Sequence, residues 1–402
     1  VTKPAEQAIA LESSAMQDAA PRLWVERLTL TNFRNYRTAE LVLGPEPVVL
    51  TGANGSGKTN LLEAVSLLAP GQGLRRAAYS DLARSPGDGS WSIAATVHTD
   101  VGAVDIGTGL APGPETAASR IVRIDGVAKP GSGVLADYVE VAWLTPAMDG
   151  LFTGPGSERR RFLDRLILCI DAGHGRRASR FERAMQQRNR LLADDVRDNA
   201  RFQGLEDVMV ETGVAIAAAR ADAVQALQSI SERRRQRDHC SAFPWALVGV
   251  EGTLESDVTR MPALDAEERY RSALRTGRER DRAAGRTLEG PHRSDLVVEH
   301  GPKSMPARLC STGEQKALLL GLVLSHAELT AERQNGRAPI LLLDEVTAHL
   351  DAARRAALFD EIVALNTQAW MTGTDAQAFS ALGERARFVS VDDGRTGLPG
   401  RL

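Results

Sequence analysis

Apolar residues recur along this chain in two rhythms. Between Trp24 and Leu30 they alternate with polar ones, the pattern of an edge or half-buried strand. Asn32-Phe33-Arg34-Asn35-Tyr36 then turns the chain into a second strand near Leu41 to Leu43. Alternation returns at 91–98, 101–106 and 120–124, and the turn pair Asp125-Gly126 ends the last of these runs. Together they predict an antiparallel sheet. The stretch from Gly107 to Ser119, rich in Gly, Pro and Thr, reads as a mobile loop. Val48 to Leu50 and Pro339 to Leu343 are apolar without interruption, as expected of strands in a parallel sheet covered on both faces. Val139 to Leu144 and Ala369 to Thr372 read as further strands.

Near residue 155 the period changes to that of helices. Ser157 reads as an N-cap before the basic first turn Glu158-Arg159-Arg160-Arg161, and Leu163, Leu166, Ile167 and Ile170 share one face. Arg176 to Leu192 and Leu205 to Ile230 predict two more helices. In the second, Leu205, Val208, Thr212, Ala215, Ile216 and Ala219 form the expected core stripe. Thr276 to Arg286 reads as a polar return linker. Ala317 to Leu329 is apolar on nearly all sides, which predicts a buried helix. The expected division is a disordered tail at 1–21, a head formed by 22–150 and 286–402, and a mainly helical lobe inserted at 151–285.

Composition narrows the class. Hydrophobic residues are 43% and charged residues 25%, as in a soluble globular protein. No apolar run reaches membrane-spanning length, and residues 1–21 lack the apolar core of a signal peptide. Cys169, Cys240 and Cys310 show no metal-ligand spacing and suggest a reduced, cytoplasmic setting. A net charge of −3 argues against a uniformly basic nucleic-acid binder. Arginines nevertheless cluster at 159–161, 176–190 and 233–237. Such clusters are local phosphate-binding candidates, or solvated helix faces.

The chemistry lies in four motifs. Gly52-Ala53-Asn54-Gly55-Ser56-Gly57-Lys58-Thr59, followed by Asn60 and a helix pattern from Leu61, is a P-loop in strand–loop–helix context. Its glycines let consecutive N–H groups face phosphate oxygens, and the helix N-terminus adds a positive dipole. Lys58 suits the β- and γ-phosphates of ATP, and the Thr59 hydroxyl suits Mg²⁺. Leu341-Leu342-Leu343-Asp344-Glu345 is a Walker B pattern, in which Asp344 would hold Mg²⁺ and Glu345 would orient and deprotonate water. Ser311-Thr312-Gly313-Glu314-Gln315-Lys316, at the start of the buried helix, matches an ATP-binding-cassette signature; an ordinary helix cap is the plain alternative. Leu350-Asp351 matches the D-loop.

Most of the chain separates P-loop from Walker B, with no sustained heptads between them, so long coiled-coil arms are not expected. These motifs, with Leu30-Thr31-Asn32-Phe33-Arg34-Asn35-Tyr36, Ser157 to Asp164 and Gly290-Pro291-His292-Arg293, resemble the RecF family of bacterial DNA repair proteins from about residue 23 to about 395. The resemblance implies an α/β fold: an ABC-type ATPase head with a mixed sheet, an antiparallel β subdomain and an inserted mainly helical lobe. It implies a weak, DNA-stimulated ATPase that dimerises with ATP on DNA and acts with RecR and RecO to promote RecA loading and the SOS response. It implies Arg34 and Asn60 among the nucleotide-binding residues, and Ser311, Thr312, Gly313 and Glu314 acting in trans. Arg159, Arg160 and Arg161 are candidate DNA contacts. The superfamily's switch histidine has no counterpart in Met371-Thr372-Gly373-Thr374-Asp375. Two readings from other classes are the ATPase subunit of a membrane transporter and an SMC-like structural DNA protein.

Overall fold

Uninterrupted apolar strands dictate where the centre of the molecule lies. A computed structural model describes residues 22–113, 119–237 and 243–397; the expected tail at 1–21, Cys240 and residues 114–118 of the expected loop lie outside the described residues. In chain order the first elements are β1 (Trp24–Phe33), β2 (Tyr36–Val42), β3 (Val48–Thr51) and helix α1 (Lys58–Ser66). Then come β4 (Trp91–Thr99), β5 (Gly102–Leu110), β6 (Ile121–Ile124), β7 (Val127–Lys129) and β8 (Val141–Leu144). Helices follow: α2 (Gly156–Leu168), α3 (His174–Ala193) and α4 (Asn199–Arg237). After β9 (Ala246–Glu251) come α5 (Thr253–Arg260), α6 (Ala263–Thr276) and α7 (Arg278–Ala284). The chain closes with β10 (Asp295–His300), β11 (Met305–Pro306), α8 (Thr312–Arg333), β12 (Ile340–Leu343), α9 (Ala352–Ala364), β13 (Ala369–Gly373), β14 (Arg387–Asp392) and β15 (Arg395–Gly397).

The central sheet has the order β15-β14-β3-β13-β12-β8, parallel except for β15. Its strands supply both hydrophobic cores by alternation. Val48, Leu50, Ile340, Leu342 and Trp370 face one core with the P-loop helix residues Leu61, Leu62 and Val65. Val49, Leu341, Leu343 and Met371 face the other, with Leu318, Val323 and Leu324 of α8. Burial on both faces is what removes polar residues from these strands. The sheet β2-β1-β4-β5-β6-β7 is antiparallel throughout and covers the first core. In it β1 is an inner strand, hydrogen-bonded to β2 and β4.

Three local readings change and a fourth is widened. The loop expected from Gly107 begins later, because Gly107 to Leu110 continue β5 and pair with β4 and β6. Ser157 is not an N-cap: α2 starts at Gly156, and the extended Pro155 accepts the Glu158 N–H at 3.0 Å. The polar stretch 276–286 is not a linker, since α7 occupies most of it. On α4 the expected stripe is buried at Thr212 and Ile216 and half-buried at Leu205, Val208, Ala215 and Ala219, and the buried face is wider than the apolar reading, taking in Phe202, Glu206, Met209, Gly213, Ala217, Arg220, Val224 and Leu227. Two charged residues lie on the added part of that face. Glu206 binds Arg188 and Arg278, and Arg220 binds Asp164 and Glu255. A buried charge is tolerated when paired in this way.

The lobe has its own core, formed by Phe181, Met209, Val210, Val214, Tyr270 and Leu274. Its long helix α4 leaves that core and contributes Ala223, Val224, Leu227 and Ile230 to the main one. Strand β9 pairs with β10, so the three-stranded sheet β11-β10-β9 spans the boundary expected at residue 285.

Candidate nucleotide-binding site

The P-loop leaves β3 at Gly52 and enters α1 at Lys58. Gly57 has φ 117°, and a Cβ there would stand 2.6 Å from Asn35 Nδ2 and 2.8 Å from the Tyr36 hydroxyl. Only glycine admits both the backbone and this close neighbour. The neighbours come from the turn between β1 and β2. Asn35 Nδ2 donates to the Ser56 carbonyl (3.0 Å), Tyr36 Oη donates to the Gly57 carbonyl (3.0 Å), and Asn60 Nδ2 donates to Asn35 Oδ1 (2.8 Å). The turn is a brace for the loop.

A cavity of about 160 Å³ opens on this loop, lined by Asn54, Gly55, Gly57, Lys58, Thr59, Asn60, Arg75, Asp344 and Glu345. Lys58 Nζ donates to the Gly52 and Ala53 carbonyls at 2.7 and 2.8 Å, closing the loop on itself. Burial lowers its pKa, and the charges of Glu345 and Asp344 oppose that. Thr59 Oγ1 lies 3.0 and 3.1 Å from the two carboxylate oxygens of Asp344. A hydroxyl and a carboxylate converging beside a phosphate-binding loop are the hard oxygen donors that Mg²⁺ takes, with nucleotide oxygens and water completing its shell. The residues present therefore fit that ion.

Thr372 holds the acidic pair. Its hydroxyl donates to Asp344 Oδ1 (2.7 Å) and accepts the Glu345 N–H (2.8 Å). The β12–β13 register, with Leu343 opposite Met371, carries Thr372 to the height of Asp344. Glu345 is exposed and adopts φ 48°, an uncommon conformation for a residue with a side chain. From the signature helix, Lys316 Nζ reaches the Glu345 carbonyl at 3.4 Å and Asp149 at 3.6 Å.

Several expected site residues do not line this cavity. Gly52, Ala53 and Ser56 shape the loop without lining the cavity. Arg34 also lies off the cavity: its Nε and Nη2 donate to Glu63 on α1, both at 2.8 Å, and its Nη1 donates to the Asp81 carbonyl. It braces the P-loop helix from behind. Ser311 caps α8, accepting the Glu314 N–H, while Glu314 accepts the Ser311 N–H in return; Thr312 and Gly313 form the first turn. Hydrogen bonds from Lys303 and then Ser311 hold the Glu314 carboxylate down at about 2. None of these four lines the cavity. Asp351 caps α9 through the Arg354 N–H.

The expected DNA contacts divide. Arg159 is bound to Asp295 through Nε (2.8 Å) and Nη2 (2.7 Å) and to the Gly154 carbonyl through Nη1 (2.6 Å). Arg160 donates to the Ser294 carbonyl at 2.7 Å. Both fasten α2 to the start of β10 and the residue before it, and of the three only Arg161 is exposed. Sequence reasoning missed the roles of Thr372, Arg75, Asn35 and Tyr36. Arg75 was visible only as a basic loop residue after α1, and Thr372 only as a polar residue ending an apolar strand.

A family model described as an AAA domain matches residues 27–92. The chain is 57% identical to the DNA replication and repair protein RecF of Mesorhizobium japonicum, over 93% of this chain and 97% of that one. It is 54% identical to the protein of the same name from Brucella suis, covering 94% and 97%. A solved structure of the recombination mediator protein RecF bound to ATP superposes with a TM-score of 0.80 at 21% identity, covering 95% of this chain and 99% of that one. An Smc head domain from Pyrococcus furiosus superposes with a TM-score of 0.52 at 17% identity, covering 94% and 96%. These likenesses give the chain the fold of an ATP-binding-cassette ATPase head. Among the described residues no helix is long and apolar enough to cross a membrane.

Proposed function

The chain belongs to the RecF family of DNA replication and repair proteins, and from that membership we propose that it is an ATP-switched, DNA-binding protein of recombinational repair. The observation that carries this reading is the convergence of Lys58, Thr59, Asp344 and Glu345 on one cavity, with Thr372 holding the two acids. Lys58 would exchange its two carbonyl acceptors for the β- and γ-phosphates of ATP. Thr59 and Asp344 would hold Mg²⁺, which when bound would neutralise phosphate charge. Hydrolysis joins a water oxygen to the γ-phosphorus and breaks its bond to the β-bridging oxygen, releasing ADP and phosphate. Glu345 orients that water and takes its proton. An exposed carboxylate just past the end of β12, on a residue at φ 48°, suits that task.

The signature completes the reading as a dimer. Ser311 and the N-terminus of α8 do not line their own head's cavity. A second head, related by a two-fold axis, would bring its ATP to them, and each dimer would bury two nucleotides. The γ-phosphate bridges the heads, so ATP joins them and hydrolysis parts them. We read 22–150 and 286–402 as the head and 151–285 as the lobe. By kinship with proteins of the RecFOR pathway, partners are RecR and RecO, and the outcome is RecA loading and the SOS response. DNA is expected to stimulate a slow basal turnover.

The test is binding of gapped, single- and double-stranded DNA, each with ATP, with ADP and without nucleotide, over a range of salt. ATP-dependent, salt-sensitive binding is expected. Nucleotide-independent or absent DNA binding would overturn the reading.

A further inference from the structure

Arg76, on the loop after α1, lies within electrostatic reach of Arg161 and Arg165 on α2, and Arg165 sits against β8. Arg161 and Arg165 stand one turn apart on α2 and share a face. The Arg165 guanidinium stacks over Trp143, its Cζ 4.3 Å from the ring centre, and lies 5.5 Å from that of Phe162. One nitrogen donates to the Trp143 carbonyl at 3.3 Å, while its Nε is buried with no hydrogen-bond acceptor. Arg76 is exposed and has φ 56° on the loop after α1. Arg120 fastens that loop, donating to the Gly71 carbonyl at 2.8 Å and to the Leu67 carbonyl.

The three charges repel one another. Burial and then the charge of Arg161 lower the pKa of Arg76; burial lowers that of Arg165 to about 9, with Arg76 adding to the effect. Among the described residues no carboxylate lies within ion-pair distance of any of the three. Neighbouring arginines differ: Arg159 has Asp295 and Arg75 has Glu63. Like charges held together without a counter-ion form a site that an anion would complete.

We propose that Arg76, Arg161 and Arg165 receive backbone phosphates of double-stranded DNA. This rests on the DNA-binding reading above and gives it a place. The nucleotide's own phosphates are not the occupant, because none of the three lines the nucleotide cavity, which Arg75 does line. Adjacent residues of one loop therefore face two ligands, Arg75 the nucleotide and Arg76 the DNA. Each ligand acts on the position of the same loop.

The test uses the full chain and the double variant Arg76→Ala/Arg161→Ala, which changes two exposed residues. Anisotropy of a labelled duplex, with a slowly hydrolysed ATP analogue, is followed across salt concentrations, and nucleotide affinity is titrated separately. Expected are a loss of DNA affinity of about tenfold or more and a salt slope shallower by about two. Nucleotide affinity and melting temperature stay at parental values, and Arg76→Lys/Arg161→Lys keeps most of the slope. A double variant with the parental slope would overturn the site while leaving the DNA-binding reading intact. Lost nucleotide affinity with unchanged DNA binding would also overturn it, assigning the cluster to the nucleotide. A parent chain with no salt-dependent DNA binding would sink the broader reading, and this site with it.

Discussion

Two hydrogen bonds of 2.8 Å join the Arg34 guanidinium to the Glu63 carboxylate, tying the turn between β1 and β2 to the P-loop helix. Glu63 is fully buried, and its other ionic partner is Arg75 at 3.3 Å. Arg34→Ala leaves that carboxylate with a single, more distant cation. It should cost about 3 kcal/mol of stability, the lower end for a broken buried pair. Denaturant titration measures this. Because Arg34 lies off the cavity, the folded fraction should retain nucleotide affinity within a few-fold; a loss of ATP binding without destabilisation would make Arg34 a direct ligand.

Lys58→Ala removes the phosphate cation and the two bonds that close the loop. Nucleotide affinity should fall at least about a hundredfold, as for loss of a charge-assisted contact. Circular dichroism should stay native. Titration with a fluorescent ATP analogue decides the matter, and parental affinity would refute the P-loop assignment.

Thr372→Val keeps the shape of the side chain but removes a donor to Asp344 and an acceptor for the Glu345 N–H. Turnover should drop about tenfold, as when a residue that orients a metal ligand is lost. Nucleotide affinity should change much less. Equal losses in both would point to a collapsed cavity rather than misplaced acids.

Glu345→Gln should bind ATP, fail to hydrolyse it and accumulate as a dimer. Ser311→Arg should bind ATP yet stay monomeric, because the bulky side chain occupies the place of the partner's γ-phosphate. The same change removes the α8 cap, worth about 1 kcal/mol. Ser311→Ala, which loses the cap and the hydroxyl but adds no bulk and keeps the α8 N-terminus, should still dimerise, more weakly than the parent. Sedimentation of all three with ATP separates these effects. A dimeric Ser311→Arg would end the cross-site interpretation.

Asp164 provides a pH signature inside the lobe junction. Burial raises its pKa, but hydrogen bonds from His174 and Arg220 outweigh this and hold it down at about 2, against 3.8 when unfolded. A depressed folded pKa means that the stabilisation is complete above the unfolded value. It is lost as pH falls from 3.8 toward about 2. The contribution is about 2 kcal/mol by that linkage. Urea unfolding of the parent should weaken across this window, and Asp164→Asn should be less stable near neutrality and lose less on acidification.

The sequence by itself determined the local chemistry. P-loop, Walker B and signature are runs of a few residues whose function depends on backbone shape and neighbouring positions, so their spacing is visible without a fold. The parallel strands were legible for the same kind of reason: burial on both faces leaves an uninterrupted apolar run, as in Ile340 to Leu343. Only the tertiary structure decided where charge is used. Arg34, a nucleotide-binding candidate by resemblance, and Arg159, a DNA-contact candidate, are engaged by Glu63 and Asp295 from distant stretches of the chain. Glu206 and Arg220 join the buried face of α4, because partners on other helices make those charges tolerable inside. Thr372 became part of the site through strand register, and Arg76 came within electrostatic reach of Arg161, more than eighty residues away in the chain. A side chain's partners across the fold set its energy, and a linear sequence does not contain those distances.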